Sequence, residues 1–163
     1  MKEQPVGFLE ALGGRVVVVE GVSGWEGAVA LSGRLLLEGG CVEERYIGRM
    51  VSTCRELGPY IAIAPGIAIP HARPEDGARR VCLSLVVVRS GVSFGSHNDP
   101  VYVLIAFSTP DKHSHIKVLQ ELANLLTEKG EELVRKLREA KNREEALQKL
   151  RELLRDSSLN QQA

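Results

Sequence analysis

The amino-acid sequence predicts an α/β fold, built as a single layered domain. Short, strongly apolar runs rich in valine predict β-strands, and they are interspersed with longer segments in which apolar residues recur at helical spacing. The length of 163 residues suits one domain, and a hydrophobic share of 44% is enough to form its core. Because no internal repeat and no linker divides the chain, we assign one domain to residues 1–163, with a frayed polar tail over 157–163.

The strand predictions rest on three apolar runs and one alternating segment. Four consecutive valines predict a strand within residues 15–20, after residues 1–14 that show no clean period. The run 81–89 is nearly continuous in apolar residues, which is typical of a strand buried on both faces, and 101–107 predicts another strand. In 60–70, isoleucine and alanine alternate around a Pro-Gly pair, which predicts two short extended pieces joined by a turn.

Two helices are predicted between the first strand and the alternating segment. Ser23 and Glu26 have the spacing of a capping box, so a helix is expected to begin there and to end at a Gly-Gly pair. A second helix is expected to start near Val42 and to stop at the Gly-Pro pair that precedes Tyr60.

The C-terminal part of the chain is predicted to be helical. A helix begins around Ser114 or His115 and is interrupted at Gly130, after which a short helix follows. Asn142 and Glu145 resemble an N-terminal cap, which predicts a last helix beyond them.

Composition excludes several classes of function. Lysine plus arginine and aspartate plus glutamate both total 21, so no net positive charge favours binding to nucleic acid. The 3 cysteines are widely spaced and lack a CxxC pair, which argues against a disulfide framework and a cysteine-built zinc site. We interpret them as small buried apolar residues in a reducing compartment.

No targeting or membrane segment is expected. The longest strongly apolar stretch, residues 81–88, is far shorter than the ~20 residues that span a bilayer. The N-terminus lacks the pattern of a signal peptide, so we predict a cytoplasmic protein without direct membrane insertion.

His71 is the first candidate for chemistry. It follows Pro70, which lacks a backbone N–H and ends an extended segment cleanly, so the backbone is rigid where the imidazole is presented. A rigid, accessible imidazole suits a nucleophile, and Arg73 lies close enough in sequence to favour an anion. The alternative from the residues alone is a turn histidine without a role.

The chain has three further histidines, at positions 97, 113 and 115. His115 opens a helix, where unpaired N–H groups make a natural anion site, although a plain polar first-turn residue is the alternative. His113 and His115 suggest a metal module, but residues two apart do not share a helix face and no acidic or cysteine cluster completes the set. His97 is expected to face solvent in a loop. The sequence contains no nucleotide-binding or hydrolase motif.

These residues carry a resemblance to a known family. Residues 58–77 read GPYIAIAPGIAIPHARPEDG, and this run resembles the phosphorylation-site signature of enzyme IIA domains of the fructose/mannitol class, which serve the bacterial sugar phosphotransferase system. Shorter matches occur at 23–26 (SGWE), 42–47 (VEERYI), 98–101 (NDPV) and 115–119 (HIKVL). The likeness covers about residues 10–155 and is closest to the ascorbate-type branch of the class.

The resemblance implies a fold and a mechanism. The family fold is a mixed β-sheet flanked by helices. His71 would accept a phosphoryl group from phosphorylated HPr and pass it to a cysteine of enzyme IIB, which serves the membrane component IIC. His115 would hydrogen-bond the phosphoryl oxygens. The resemblance implies no cofactor and no metal.

Two points stay open after the resemblance. Some mannitol-type members carry an arginine sixteen residues before the phosphorylated histidine, and Arg55 has that offset here, so Arg55 joins Arg73 as a weaker candidate for phosphate support. His97 and His113 lie outside the shared pattern. An enzyme IIA-like domain that signals through phosphorylation-dependent protein binding is the alternative to a transport component, and the sugar is not specified.

Overall fold

The computed structural model describes residues 7–155 and shows one domain, a mixed four-stranded sheet between two layers of helices. In chain order its elements are α1 (Phe8–Leu12), β1 (Val16–Val19), α2 (Trp25–Glu38), α3 (Arg45–Leu57), β2 (Ile67–Ala68), β3 (Cys82–Val92), β4 (Val101–Ser108), α4 (Ile116–Glu139) and α5 (Arg143–Arg155). Two short 3-10 turns lie at Gly58–Ile61 and Pro74–Asp76. The predicted fold class is confirmed, including the mixed sheet that the family resemblance implies.

The sheet has the strand order β1-β3-β4-β2. The central strands β3 and β4 are antiparallel, with Cys82 opposite Ser108 and Val87 opposite Val103. The edge strands β1 and β2 each run parallel to the central strand beside them. Both central strands are buried almost throughout, as their nearly continuous apolar runs predict.

Each face of the sheet supports its own hydrophobic core. The face toward α1, α4 and α5 buries alternate residues of the central strands, among them Leu83, Leu85 and Ile105. The opposite face packs on α2 and α3 through Val86, Leu104 and their neighbours. In that second core the buried Ser84 hydroxyl donates to the Ser32 carbonyl at 2.9 Å, so a polar group inside it is satisfied.

Several local expectations are corrected. No regular element was expected before residue 15, but Phe8–Leu12 form the short helix α1. Its apolar face packs into the first core. The capping box is also wrong: α2 begins after Gly24 without a side-chain cap, and the Glu26 carboxylate instead contacts Arg55. The second helix begins three residues later than predicted, because Val42 pairs with Ala78 in an isolated bridge.

The C-terminal helices follow the prediction more closely. The predicted interruption at Gly130 is confirmed to within one residue, because the backbone of α4 is non-helical at Lys129, where φ is −139° and ψ is 24°. The predicted cap of α5 is confirmed, since the Glu145 N–H donates to Asn142 Oδ1 at 2.9 Å. The predicted tail over 157–163 lies outside the described residues. Within residues 7–155, no helix combines the length and apolar character needed to cross a membrane.

The cysteines differ most from expectation. Cys41, after α2, is joined by a disulfide to Cys82 at the start of β3, with a Cα–Cα distance of 6.2 Å. Cys54 is free and buried. The interpretation of all 3 cysteines as unpaired is therefore wrong for two of them. Their separation of 41 residues gives no sequence signal, because the sheet alone brings the two segments together.

Replacing Cys41 with serine should lower the free energy of unfolding by about 3–4 kcal/mol, the chain-entropy value for a closed loop of this length. Urea denaturation of the oxidised proteins measures this loss. Dithiothreitol should destabilise the wild type by a similar amount and leave the Cys41→Ser variant unchanged. Three maleimide-reactive thiols in the unreduced, denatured wild type, rather than the Cys54 thiol alone, would contradict the disulfide.

Candidate functional site

His71 lies where the short parallel pair of β2 and β4 ends. Ile67 and Ala68 pair with Val103 and Leu104, and the chain then continues toward His71. Two backbone hydrogen bonds hold this continuation. The Ile69 N–H donates to the Ile61 carbonyl at 3.1 Å, and the Phe107 N–H donates to the Pro70 carbonyl at 3.2 Å. The backbone before His71 is therefore fixed to the end of β4, as a presented nucleophile requires.

The half-buried imidazole of His71 is held in one tautomer. Its Nδ1 lies 2.8 Å from the Ile69 carbonyl oxygen. A carbonyl oxygen only accepts, so Nδ1 carries the proton and Nε2 of the neutral ring holds the lone pair. Desolvation is the largest influence and lowers the pKa of His71; repulsion by His115 lowers it further, whereas the bond to Ile69 opposes both. The neutral, nucleophilic form is favoured near pH 7.

Phe107, near the end of β4, joins the two candidate histidines. Its ring stacks on the His71 imidazole with centroids 4.6 Å apart and planes at 19°. The His115 imidazole also lies nearly parallel to Phe107, at 5.9 Å and 10°. The structure thus brings His71 and His115 together around one aromatic ring, although 44 positions separate them along the chain.

His115 stands at the N-terminus of α4, as the sequence predicts. Its carbonyl accepts the first helical hydrogen bond, from the Leu119 N–H at 3.0 Å. The ring atom Nδ1 is buried and has no hydrogen-bond partner within the described part of the chain. An unsatisfied ring nitrogen beside the partial positive charge of a helix start is suited to receive an anion.

The turn before α4 is organised by Asp111. Its Oδ1 accepts from the backbone N–H groups of His113 and Ser114 at 2.8 and 2.7 Å, and its Oδ2 accepts from the Ser114 hydroxyl at 2.7 Å. Hydrogen bonds from the Ser114 hydroxyl and backbone, with further help from His113, lower the pKa of this exposed carboxyl to about 2. The ionised Asp111 therefore fixes the path of the chain into His115.

Two side chains from α3 form hydrogen bonds with the backbone of His71 and Ala72. The buried thiol of Cys54 makes a hydrogen bond with the His71 backbone, and burial raises the pKa of this thiol to about 11 in spite of that bond. The fully buried Tyr46 reaches Ala72 and Phe107: its hydroxyl accepts from the Ala72 N–H at 3.0 Å and lies 3.0 Å from the Phe107 carbonyl.

Arg73 is exposed two residues beyond His71. Its backbone N–H donates to Asp76 Oδ2 at 3.0 Å, and Arg49 Nε donates to Asp76 Oδ1 at 3.1 Å. Burial acts to raise the pKa of Asp76, but these hydrogen bonds and the charges of both arginines outweigh it and lower that pKa. The chain leaving His71 is thereby closed into a turn.

The other candidates have contacts elsewhere. The Arg55 guanidinium contacts the Glu26 carboxylate and lies 5.7 Å from the centre of the Trp25 ring. His97 and His113 are exposed, in agreement with the solvent-facing position predicted for His97. Within residues 7–155, no group of three or more histidine, cysteine or carboxylate side chains is placed to hold a metal ion.

An open cleft of about 710 Å³ lies away from the histidines. It is bounded by the starts of β2 and β4, where Gly66 and Tyr102 lie, and by the second half of α4. The Arg138 guanidinium covers the Tyr102 ring at 3.7 Å. Because His71 follows the opposite end of β2, the imidazole chemistry and this cleft occupy different ends of the sheet.

Sequence reasoning overlooked Phe107, Tyr46 and Cys54 as parts of the site. Phe107 and Cys54 contact His71 itself, and Tyr46 bonds the neighbouring Ala72, in each case across a long distance in sequence. No sequence signal identifies them, because their proximity to His71 depends on the tertiary structure.

The sequence was compared with known families and proteins. A family model described as phosphoenolpyruvate-dependent sugar phosphotransferase system, EIIA 2, matches residues 13–153. A mannitol-specific cryptic phosphotransferase enzyme IIA component of Escherichia coli K12 is 37% identical over 122 residues, which are 75% of this chain and 82% of that protein. The ascorbate-specific PTS system EIIA component of the same strain is 35% identical over 125 residues, 76% and 80% of the two chains.

Solved structures show the same likeness. The solution structure of the mannitol-specific cryptic phosphotransferase enzyme IIA from Escherichia coli has a TM-score of 0.76 and 31% identity, covering 89% of this chain and 98% of that chain. Enzyme IIAMTL of Escherichia coli, in a complex with phosphorylated enzyme IIBMTL, has a TM-score of 0.71 and 24% identity over 85% of this chain and 95% of that chain. At 24% identity, this second likeness shows the fold alone.

The His71 ring should titrate below its ordinary pKa of 6.5, as proton NMR of the ring can measure. Since the folded-state pKa is depressed, the unfolded chain binds more protons between the two pKa values. The free energy of unfolding should therefore fall as the pH drops through about 6.5 and level off below the folded-state pKa.

The variant His71→Gln removes that contribution, so its stability should decline less than that of the wild type over the same pH interval. Phe107→Ala should raise the His71 pKa toward 6.5, because it exposes the ring to water. A wild-type pKa at or above 6.5 would contradict the desolvated site.

Proposed function

Since the chain belongs to the EIIA 2 family of the phosphoenolpyruvate-dependent sugar phosphotransferase system, we propose that His71 is its phosphoryl carrier. Phosphorylated HPr is the donor and a cysteine of enzyme IIB the acceptor. Members of the family are phosphotransferase components. The observation that carries the proposal is the bond from His71 Nδ1 to the Ile69 carbonyl, which leaves Nε2 as the nucleophilic nitrogen.

The transfer needs little beyond correct placement of the reacting atoms. The Nε2 lone pair of His71 attacks phosphorus in line with the leaving nitrogen of the donor; the Nε2–P bond forms as the donor N–P bond breaks, and the donor ring keeps the electron pair. The His71 ring then carries positive charge. The Ile69 carbonyl stabilises it at 2.8 Å without removing the Nδ1 proton. A thiolate of enzyme IIB reverses the sequence, forming S–P while Nε2–P breaks.

His115 is proposed to hold the transferred group. Its buried, unpartnered Nδ1 and the N-terminus of α4 offer hydrogen-bond donors near the Phe107 ring, on which the attacking His71 ring also stacks. A donor aimed at the equatorial phosphoryl oxygens stabilises the charge that spreads over them. This role requires the tautomer with a proton on Nδ1.

The two arginines enter the proposal unequally. Arg73 is exposed, two residues from His71, where its charge attracts an incoming phosphoryl group. The Arg55 guanidinium is already engaged with Glu26 and the Trp25 ring, so its support for the phosphoryl group requires a change of partner. We therefore assign Arg73 the larger contribution.

The proposed physiological role is uptake of a sugar or sugar acid, with ascorbate as one candidate. Relatives specific for mannitol and for ascorbate are about equally similar, at 37% and 35% identity, which supports both branches. The phosphoryl group would reach the membrane component IIC through enzyme IIB, and the exchange with HPr would take place in the cytoplasm. Under this proposal no cofactor takes part.

The carrier role predicts one acid-labile, alkali-stable phosphoryl group per chain after incubation with phosphorylated HPr. His71→Ala should accept none, because the only proposed acceptor nitrogen is gone. Intact-protein mass spectrometry after the reaction measures the stoichiometry. His97→Ala is the matched control, because it removes an exposed loop histidine and should accept one group. Undiminished phosphorylation of His71→Ala would refute the assignment.

His115→Ala should keep one phosphoryl group per chain but transfer it roughly ten- to a hundredfold more slowly, the effect of losing one charge-assisted hydrogen bond. Rapid-quench kinetics with a matched enzyme IIB measures the rate. Arg73→Ala should slow transfer more than Arg55→Ala. An unchanged rate in His115→Ala would remove that residue from the site, and the reverse order of the arginines would contradict their assignment.

A further inference from the structure

The backbone around His71 forms half of a strand pairing that is left incomplete. Ile67 pairs with Val103 and Ala68 with Leu104, so each β2 residue lies opposite the β4 residue 36 positions later. The same offset places His71 opposite Phe107. A parallel pairing of these two residues needs two hydrogen bonds, one on each side of His71. The first is present, from the Phe107 N–H to the Pro70 carbonyl at 3.2 Å.

A tyrosine hydroxyl replaces the second hydrogen bond. In a regular ladder, the Ala72 N–H would donate directly to the Phe107 carbonyl. Instead it donates to the Tyr46 hydroxyl at 3.0 Å, and that hydroxyl lies 3.0 Å from the Phe107 carbonyl. The Ala72 carbonyl, at 3.3 Å, is a more distant second acceptor. The hydroxyl of an α3 residue is thus inserted between the two strand ends.

We infer that Tyr46 is a positioning residue for phosphoryl transfer, an inference that rests on the proposed function of His71. Its hydroxyl sets the separation between the backbone after His71 and the end of β4. That separation fixes how the His71 ring lies on Phe107, at a centroid distance of 4.6 Å, and so where Nε2 points. Tyr46 acts through its hydrogen bonds to the Ala72 and Phe107 backbones and not on the reacting atoms.

The inserted hydroxyl differs physically from a direct ladder bond. Neighbouring strands joined by direct bonds lie about 4.8 Å apart. Two hydrogen bonds in series, each of 3.0 Å, hold the Ala72 and Phe107 backbones farther apart than one bond would. The strand end beyond His71 is therefore splayed from the sheet by a fixed amount while its start remains bonded at Pro70.

The hydroxyl is able to keep both bonds across the working pH range. Tyr46 is fully buried, and desolvation raises its pKa to about 12 despite the hydrogen bond with the Ala72 backbone, with Asp76 adding to the rise. It therefore keeps its proton and continues to donate. Its ring also packs among the apolar residues of the second core. The experiment must therefore distinguish a positioning role of the hydroxyl from a purely structural role of the residue.

The deciding variant is Tyr46→Phe, which keeps the buried ring and removes only the inserted hydroxyl. Two controls match it. Tyr102→Phe removes a tyrosine hydroxyl in the distant cleft, and Ser84→Ala removes a buried hydroxyl bond from the same core. Transfer from phosphorylated HPr and onward to enzyme IIB is measured by rapid quench, and stability by urea denaturation.

Tyr46→Phe should still accept one phosphoryl group per chain but transfer it about ten- to a hundredfold more slowly, the scale expected for a reacting atom displaced by about 1 Å. Both controls should retain the wild-type rate. An unchanged rate in Tyr46→Phe overturns the inference. It is equally overturned if Ser84→Ala, at comparable loss of stability, slows transfer as much.

A second readout is independent of phosphoryl transfer. NMR titration of the ring should show the His71 pKa rising toward its ordinary value of 6.5 in Tyr46→Phe and unchanged in both controls, because a displaced ring gains contact with water. A slower rate without this shift overturns the positioning role. If the wild type accepts no phosphoryl group, the proposed carrier function fails, and the titration alone decides whether Tyr46 positions His71.

Discussion

The parallel pairing of β2 with β4 is the constraint on which the candidate site depends. β2 has only two residues, yet its pairing with the buried central strand β4 fixes the position of the segment that carries His71. The pairing is reinforced at Gly66, whose carbonyl accepts from the N–H groups of Tyr102 and Val103 at 2.8 and 3.0 Å. Gly66 has φ of 79°, and a Cβ there would lie 3.3 Å from Val134, so conformation and space both favour glycine.

The environment of His71 reconciles burial with reactivity. A fully exposed imidazole would be free to rotate and to protonate, whereas a fully buried one would have no access to a partner. Here one ring nitrogen is bonded to the Ile69 carbonyl and one face is covered by Phe107, while the residue remains half-exposed. Burial lowers the pKa of His71 although the bond to Ile69 opposes that shift, and the same bond limits the directions in which the lone pair can point.

The sequence predicted those parts of the fold that depend on local composition. The buried central strands were recognisable because they are almost entirely apolar over eight or more residues, and the cap of α5 because both of its partners lie within four positions. α1 was not predicted, because a helix of 5 residues is too short to show a period and is stabilised by burial against elements distant in sequence. The Cys41–Cys82 disulfide was not predicted either, because its two cysteines are 41 residues apart in the sequence.

The candidate site divides along the same line. His71 and His115 were reached because the segment around His71 is a long, specific motif and the second histidine opens a helix. Phe107 and Tyr46 were not, because their function depends on the offset between two strands and on which face of α3 meets the sheet. Tyr46 is fully buried on α3, but a buried hydroxyl requires partners, and only the tertiary structure identifies them.

The unpartnered Nδ1 of His115 would favour reversible binding of a phosphoryl group. Leaving a buried polar group without a hydrogen bond costs about 1–3 kcal/mol, and under the proposed function an arriving phosphoryl oxygen would recover that cost. A carrier must also release the group, so the attraction has to stay modest. Asp76 contributes to that restraint, because it draws on the charges of Arg49 and Arg73 beside the loop. Neutral donors at a helix start, rather than a clamp of several arginines, would suit the proposed carrier, which has to accept a phosphoryl group and pass it on.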